Sequence, residues 1–309
     1  MKIAVHITHY DQAGSQNTGA LKMKKFDYLQ KILKKYLAIS KNTKIFIHTN
    51  NNRLISNNKR ITYIYHDLSK ETDHNRLTWK CRTLIKKQRT KFDIFIYSED
   101  DILFTKKNLD YWLMHKNICN KAGYNIGFLL CEYNHTKKKF YVVSNKKKFK
   151  QYIYLDKIKF IINDVNPYYG FWIYDSTELE KFIKTKWWNF QWSGNNFNSF
   201  YGTAEMSAIG WHGKNMDRYY ETVFPVKNDV ISKGALLHHL PNNYIKKAYV
   251  YHEKKIPFCI YQFEKIVEKK LFQKPYSRLK KKINVFLLKV NFIFFRKVQR
   301  IYYKFKYLN

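Results

Sequence analysis

Acidic residues are scarce in this chain. Asp and Glu number 23 against 58 Lys and Arg in 309 residues, a formal net charge of +35. A basic excess of that size fits a nucleic acid, an anionic membrane or an acidic substrate as partner. It does not choose among them. The basic residues run through the whole chain beside many Asn, Ile, Tyr and Phe, a mixture that an A- and T-rich genome also produces. Cysteine is scarce as well. Cys81, Cys119, Cys131 and Cys259 lie far apart and form no CxxC pair. That spacing argues against a disulfide framework and a zinc site, and predicts reduced, mostly buried thiols of a cytosolic protein. Neither GxxxxGK[ST] nor GxGxxG occurs, which weighs against a P-loop and a standard dinucleotide fold. No run approaches the ~20 apolar residues that cross a bilayer. Met1-Lys2 runs straight into an apolar stretch interrupted by His6, so we expect no signal peptide. The length allows one sizeable core, or one domain with an appendage.

The first third alternates two periodicities. Residues 2–9 (KIAVHITH), 44–49 (KIFIHT), 61–65 (ITYIY) and 92–97 (FDIFIY) have the apolar density of strands. Between them, residues 21–37 place Met23, Phe26, Leu29, Leu33 and Leu37 at helical spacing. Residues 76–91 mix Leu77, Trp79, Leu84 and Ile85 with Lys and Arg. Strands alternating with helices predict a doubly wound α/β sheet, mostly parallel, with right-handed crossovers. Ligands of such sheets sit beyond the carboxyl ends of the strands. Thr8, His9 and Tyr10, the start of the helix at Arg76 and Lys80, and the residues just after Tyr97 should therefore share one crevice.

Immediately after Tyr97 the chain reads Ser98-Glu99-Asp100-Asp101. Three carboxylates ending a buried strand repel one another unless a cation neutralises them. Strand alternation would turn Glu99 and Asp101 to one side and Asp100 to the other. Hard oxygen ligands so arranged suit Mg²⁺ or Mn²⁺, which suit a diphosphate. The plainer alternative is a helix N-cap or a solvated turn.

With its acidic triplet at the end of a nucleotide-half strand, the chain resembles the GT-A glycosyltransferases. Ser98-Glu99-Asp100-Asp101 is similar to their DxD motif. The resemblance implies a nucleotide-sugar donor, a bound Mn²⁺ or Mg²⁺ and a hydroxyl acceptor. It also implies a carboxylate near the start of a later helix, matched by Glu205 in GTAEMSAIG, and a late histidine at the metal, matched by His238 or His239 in ALLHHLPNNY. The resemblance covers about residues 1–244. On it, Asp101 would hold the metal with Glu99 or a histidine. Thr8, His9, Tyr10, Arg76, Lys80, Glu99 and Asp100 would serve the donor, and Glu205 would be general base if the reaction inverts configuration. The residues themselves also allow Glu205 to be a helix-end carboxylate favoured by the macrodipole, and the histidines to be one buried and one exposed side chain.

Farther along, Lys137–Lys139 and Lys146–Lys148 flank FYVVS, a strand between basic turns. Residues 127–131 (GFLLC) predict a buried strand. Residues 168–174 lead into a helix over 176–184 with Ser176 as its N-cap, and Gly170 marks a bulge or a close backbone approach. Trp187, Trp188, Trp192 and Trp211 lie among Gly and Asn in 186–213. They form either an acceptor-binding wall, since ring faces pack on sugar C–H faces, or anchors of an irregular loop.

Past Glu268 there is no acidic residue. Residues 277–309 predict a basic amphipathic helix, with Ile283, Leu287, Val290 and Phe294 on one face and Lys282, Lys289, Arg296 and Arg300 on the other, although Phe286 and Ile293 intrude. Such a helix lies on an anionic membrane or docks on its own domain. We expect the former, with the protein peripheral on the cytoplasmic face and a glycan or lipid-linked acceptor. The expected organisation is a catalytic domain over 1–270, with a nucleotide-sugar half to about 104 and an acceptor half from 105, then a tail over 271–309. No specific nucleic acid is expected as a partner. Two rivals share the carboxylates or the charge. One is a metal-dependent nuclease or phosphoesterase holding two ions, and the other a non-catalytic nucleic-acid-binding protein.

Overall fold

The structure is a computed structural model that describes residues 1–11, 19–51, 56–145, 147–163, 165, 168–189, 202–210, 222–251 and 254–273. The expected tail over 277–309, Trp192 and Trp211 lie outside these.

Four strands form the predicted parallel core: β1 (Ile3–His9), β2 (Thr43–Thr49), β3 (Ile61–Tyr65) and β4 (Ile94–Glu99), in the order β3-β2-β1-β4. A later strand, β11 (Phe171–Asp175), completes the sheet antiparallel to β4. Alternation sends Ile3, Val5, Ile7, Ile45, Ile47, Ile94 and Ile96 to one face. There they pack with Leu29, Ile32, Leu33 and Tyr36 of α1 (Gly19–Leu37), spaced three or four apart. Each such aliphatic burial contributes roughly 1.5–3 kcal/mol. Ala4, Phe46, Phe95 and Tyr97 point to the other face, with Cys81 and Ile85 of α2 (Leu77–Gln88). The crossovers β1-α1-β2 and β3-α2-β4 run in opposite directions along the sheet, so right-handedness places their helices on opposite faces. The sheet is doubly wound. Its strand order reverses between β1 and β4, which puts the crevice at the carboxyl ends of those two strands.

Two more sheets complete the architecture. One has the order β17 (Cys259–Gln262), β8 (Lys139–Val143), β7 (Leu129–Asn134), β14 (Leu236–His239) and β5 (Ile102–Leu103). The other orders β13 (Val230–Ile231), β12 (Thr222–Lys227), β10 (Ile158–Asn163), β9 (Phe149–Leu155) and β18 (Val267–Gln273), with β6 (Asn125–Ile126) beside β12. A small hairpin joins β15 (Ala248–Tyr251) to β16 (Lys254–Pro257). Helix α3 (Lys106–Lys121) is tied to this half by Asn108, whose side-chain amide donates to Gly234 O and Leu236 O, each at 2.8 Å. Because β5 pairs with β14 while β11 returns to β4, the two halves interleave at the acidic triplet.

Several boundaries differ from expectation for local reasons. The helix expected over 76–91 is a 3-10 turn at His74–Arg76 followed by α2, capped by Asp73, whose side chain accepts from Asn75 N. Helix α4 (Ser176–Ile183) is capped by Asp175 and not by Ser176. Asp175 and Glu178 each accept from the other's backbone N–H, a capping box one residue earlier. Strand β7 begins two residues later than expected and runs on through Glu132. The four cysteines are free and buried. Among the described residues no helix is long and apolar enough to cross a membrane.

The α2 face also carries a chain of histidines. His6 Nδ1 and His48 Nε2 lie 3.0 Å apart, and His48 Nδ1 and His66 Nε2 2.9 Å apart. Burial lowers the pKa of all three, that of His6 to about 3. The unfolded chain takes up these protons below about pH 6.5 and the folded chain does not. Their contribution to stability is therefore intact above about pH 6.5 and lost as pH falls toward the folded values. The loss is roughly 1.4 kcal/mol per pH unit for each fully buried member. We expect the melting temperature to drop steeply from pH 6.5 to 5. His6→Phe should flatten that slope while keeping an aromatic ring against Phe46, on which His6 stacks. Melting curves at three pH values decide this; a slope unchanged in the variant assigns the acid sensitivity to other groups.

Candidate active site

Strand β4 ends at Glu99, and Asp100 and Asp101 form a turn before β5. Strand alternation therefore does not sort the three carboxylates; the turn does, sending each to a different partner. Glu99 stays on the α2 face with Tyr97, where the Tyr168 hydroxyl donates to both of its oxygens at 3.1 Å. Its backbone N–H donates to Gly170 O at 3.1 Å. Gly170 has φ +67°, and a side chain there would meet Ile102 at 3.0 Å and Glu99 Oε2 at 3.3 Å, so it is the close approach the sequence allowed. Asp100 reaches across the switch point to the end of β1, where His9 Nδ1–H donates to Asp100 Oδ2 at 2.6 Å. Asp101 turns to β14: its carbonyl accepts from Leu240 N at 2.9 Å, and its Oδ2 accepts from His239 Nε2–H at 3.2 Å.

His239 is clamped from both sides. Its Nδ1–H donates to Glu132 Oε1 at 2.5 Å, and Glu132 Oε2 in turn accepts from Ile245 N at 2.6 Å. Burial alone would lower the pKa of His239. Hydrogen bonds to Asp101 and Glu132 outweigh it and raise the value to about 9, so the ring is an imidazolium at neutral pH. His238 points elsewhere, with Nε2 3.0 Å from Asn242 Oδ1 and its ring against Phe140. Of the two histidines, His239 is the one at the triplet.

Glu205 lies in the first turn of α5 (Thr203–Ile209), which the α2 face holds tightly. Trp79 Nε1–H donates to Thr203 O at 2.8 Å, and the Thr203 hydroxyl donates to Asp73 at 2.5 Å. Arg82 donates to Ser207 O at 3.2 Å. The Tyr97 hydroxyl lies 3.2 Å from Ser207 Oγ and 3.3 Å from Thr8 Oγ1, linking α5 to β4 and β1. The charge of Glu205 joins those of Glu99 and Asp101 in raising the pKa of the buried Tyr168. Glu99 itself is pushed up, first by burial and then by Asp101, Glu205 and Asp100, against the Tyr168 hydrogen bond. Asp101 and Glu205 thus both act electrostatically on Glu99 and Tyr168.

The remaining expected residues divide. Tyr10 stacks on His74 at the rim, its hydroxyl 2.6 Å from His74 Nδ1. Arg76 and Lys80 both pair with Glu71, at 2.7 and 2.8 Å, so part of their charge is already answered. Trp187 and Trp188 are core side chains, 8% and 7% exposed, packed with Phe182 and Leu179. That makes them loop anchors, not an open acceptor wall: their carbonyls accept from the buried Arg82, and α4 supplies the apolar surface that covers them. Sequence reasoning missed Glu132 and Tyr168. A carboxylate inside the apolar run LLCEYN was the available signal for Glu132; nothing distinguished Tyr168 from its aromatic neighbours.

A divalent ion fits this donor set in one particular way. Among the described residues no three His, Cys, Asp or Glu side chains form a ready metal cage. Asp101 Oδ1, however, is buried with no hydrogen-bond partner, and Glu99 is destabilised as an anion by burial and then by Asp101. Mg²⁺ and similar ions are commonly held by one or two carboxylates together with substrate phosphates and water. Asp101 and Glu99 fit that mode.

No protein-family model and no curated protein matches the chain. Among solved structures it is similar to a glycosyltransferase involved in the glycosylation of the major capsid of PBCV-1. Identity is 12%, covering 66% of this chain and 72% of that one, with a TM-score of 0.29. It is also similar to a CMP:2-keto-3-deoxy-manno-octonic acid synthetase complexed with CTP, at 11% identity and a TM-score of 0.29, covering 48% of this chain and 62%, less than two thirds, of that one. Likeness this loose carries no argument about activity, which rests on the site.

Proposed function

We propose that the protein is a metal-dependent glycosyltransferase that moves a sugar from a nucleoside-diphosphate donor to a hydroxyl acceptor. The observation that carries this reading is Asp101 Oδ1, buried and unanswered next to Glu99 at the switch point of a doubly wound sheet. In this reading Asp101 and Glu99 hold Mn²⁺ or Mg²⁺, which when bound would offset the negative charge that develops on the departing diphosphate. His239, fixed by Glu132, orients the Asp101 carboxylate. Asp100 and His9 close the end of β1 beneath the donor, with Thr8 and Tyr10 beside them. Glu205, from the opposite wall, accepts the acceptor hydroxyl's proton if configuration inverts. A glycan or lipid-linked acceptor, and a peripheral membrane address through 277–309, belong to the same proposal.

A thermal-shift screen of nucleotide sugars with and without Mn²⁺ tests it, since a ligand at 100 times its Kd adds about 2.7 kcal/mol to apparent stability. One donor family should raise the melting temperature only with the metal. If none shifts it, the reading fails.

A further inference from the structure

A second cavity, of about 550 Å³, lies along α2 and is lined by Arg82, Lys86, Lys87, Arg89, Trp79 and Trp188 among others. It shares none of the acidic residues of the crevice. Arg82 is 5% exposed, and no carboxylate pairs with it among the described residues. Its guanidinium donates to Trp187 O at 2.8 Å, Trp188 O at 2.7 Å and Ser207 O at 3.2 Å, and stands 4.0 Å over the Trp79 ring. Carbonyl dipoles and ring faces moderate a buried cation, but they leave its net charge in place. Burial lowers its pKa to about 10, and the groups acting against that are Cys81, Tyr97 and Tyr174. Lys86 and Lys87, at the last turn of the helix, are exposed and have no carboxylate partner among the described residues, whereas Arg89 is paired with Glu180 at 2.8 Å. The wall of this cavity therefore carries three uncompensated positive charges, one of them locked in place.

We infer that this cavity is an anion site that takes the phosphate group of a soluble phosphate ester. The fixed guanidinium, its Nη1 hydrogens held by two carbonyls, supplies a localised positive charge, and the flanking ammonium groups supply free donors for a phosphate. The cavity's volume is that of a small-molecule site, which favours a soluble ester over a bilayer headgroup. The inference is independent of glycosyl transfer.

The test is calorimetric titration of the full-length protein with sodium pyrophosphate in EDTA, which leaves the acidic crevice without a metal bridge. The wild type should bind, and Lys86→Gln/Lys87→Gln should bind at least ten-fold more weakly with an unchanged melting temperature. Lys139→Gln/Lys150→Gln, which removes the same charge from exposed strand positions elsewhere, should bind like the wild type. Sedimentation with phosphatidylcholine vesicles containing phosphatidylglycerol separates the sources: the Lys86/Lys87 pair should sediment as the wild type does. Equal affinity in the wild type and the Lys86/Lys87 pair, or equal loss in both pairs, overturns the site. A parallel loss on vesicles assigns it to lipid headgroups and overturns the soluble ester.

Discussion

Asp101→Asn is expected to remove metal-dependent nucleotide binding, by about 10²-fold or more, and to leave the apo protein folded. Losing an outer-shell partner of a metal site typically costs 10–100-fold, so losing the carboxylate itself should cost at least the upper figure. The expected effect on the fold is small because two changes oppose each other. The substitution leaves the longer of the two His239 hydrogen bonds, at 3.2 Å, a neutral amide acceptor in place of a carboxylate, while the 2.5 Å bond to Glu132 remains. It also removes the charge that, after burial, does most to destabilise ionised Glu99. Melting curves of the apo variant and calorimetry with Mn²⁺ and the donor measure the two halves separately. A variant that unfolds, or one that binds normally, contradicts the assignment.

Glu205→Gln should lower the turnover number by about 10²-fold or more, the usual scale for a lost general base, with donor binding little changed. The amide keeps the shape of the side chain, which folds back over Gly202 at the start of α5. Any helix-end contribution of the carboxylate is worth only about 0.3–1 kcal/mol. The two roles therefore separate in the data. Loss of rate at constant Kd for the donor identifies a base. A lower melting temperature with the rate preserved identifies a helix-end carboxylate only. If transfer retains configuration, Glu205 need not be the base, so the stereochemistry of the product should be determined in the same assay.

The crevice was legible in the sequence because its location is set by short-range pattern. Apolar alternation in 2–9, 44–49, 61–65 and 92–97, interrupted by helical spacing, gives strands alternating with helices. With right-handed crossovers these make a doubly wound sheet whose ligands bind beyond the carboxyl ends of its strands. The triplet stood out as charge where burial was expected. Left open were the individual long-range pairings. Within the expected crevice it is Asp100 that meets His9, 91 residues away, and His239 rather than His238 that meets Asp101, 138 residues away. Glu132 enters through a parallel pairing of β7 with β14, joining Leu236 with Leu129 and His238 with Cys131. No local periodicity encodes such pairings. Two of the tryptophans decide between alternatives that the sequence left open. Trp187 and Trp188 sit in a loop-like composition, yet Arg82 and α4 bury them, a contact between segments about a hundred residues apart. Arg76 and Lys80 read as donor-facing cations because Glu71, which holds both, belongs to the preceding loop and not to their helix face.

The most direct test of the central claim, that the switch-point carboxylates hold a divalent ion through a nucleoside diphosphate, is a Mn²⁺ titration followed by electron paramagnetic resonance. With a saturating nucleoside diphosphate, the wild type should hold a single Mn²⁺ per chain, and Asp101→Asn should hold none. A protein that takes up no Mn²⁺ with any nucleoside diphosphate, or that binds a pair of ions without nucleotide, contradicts it.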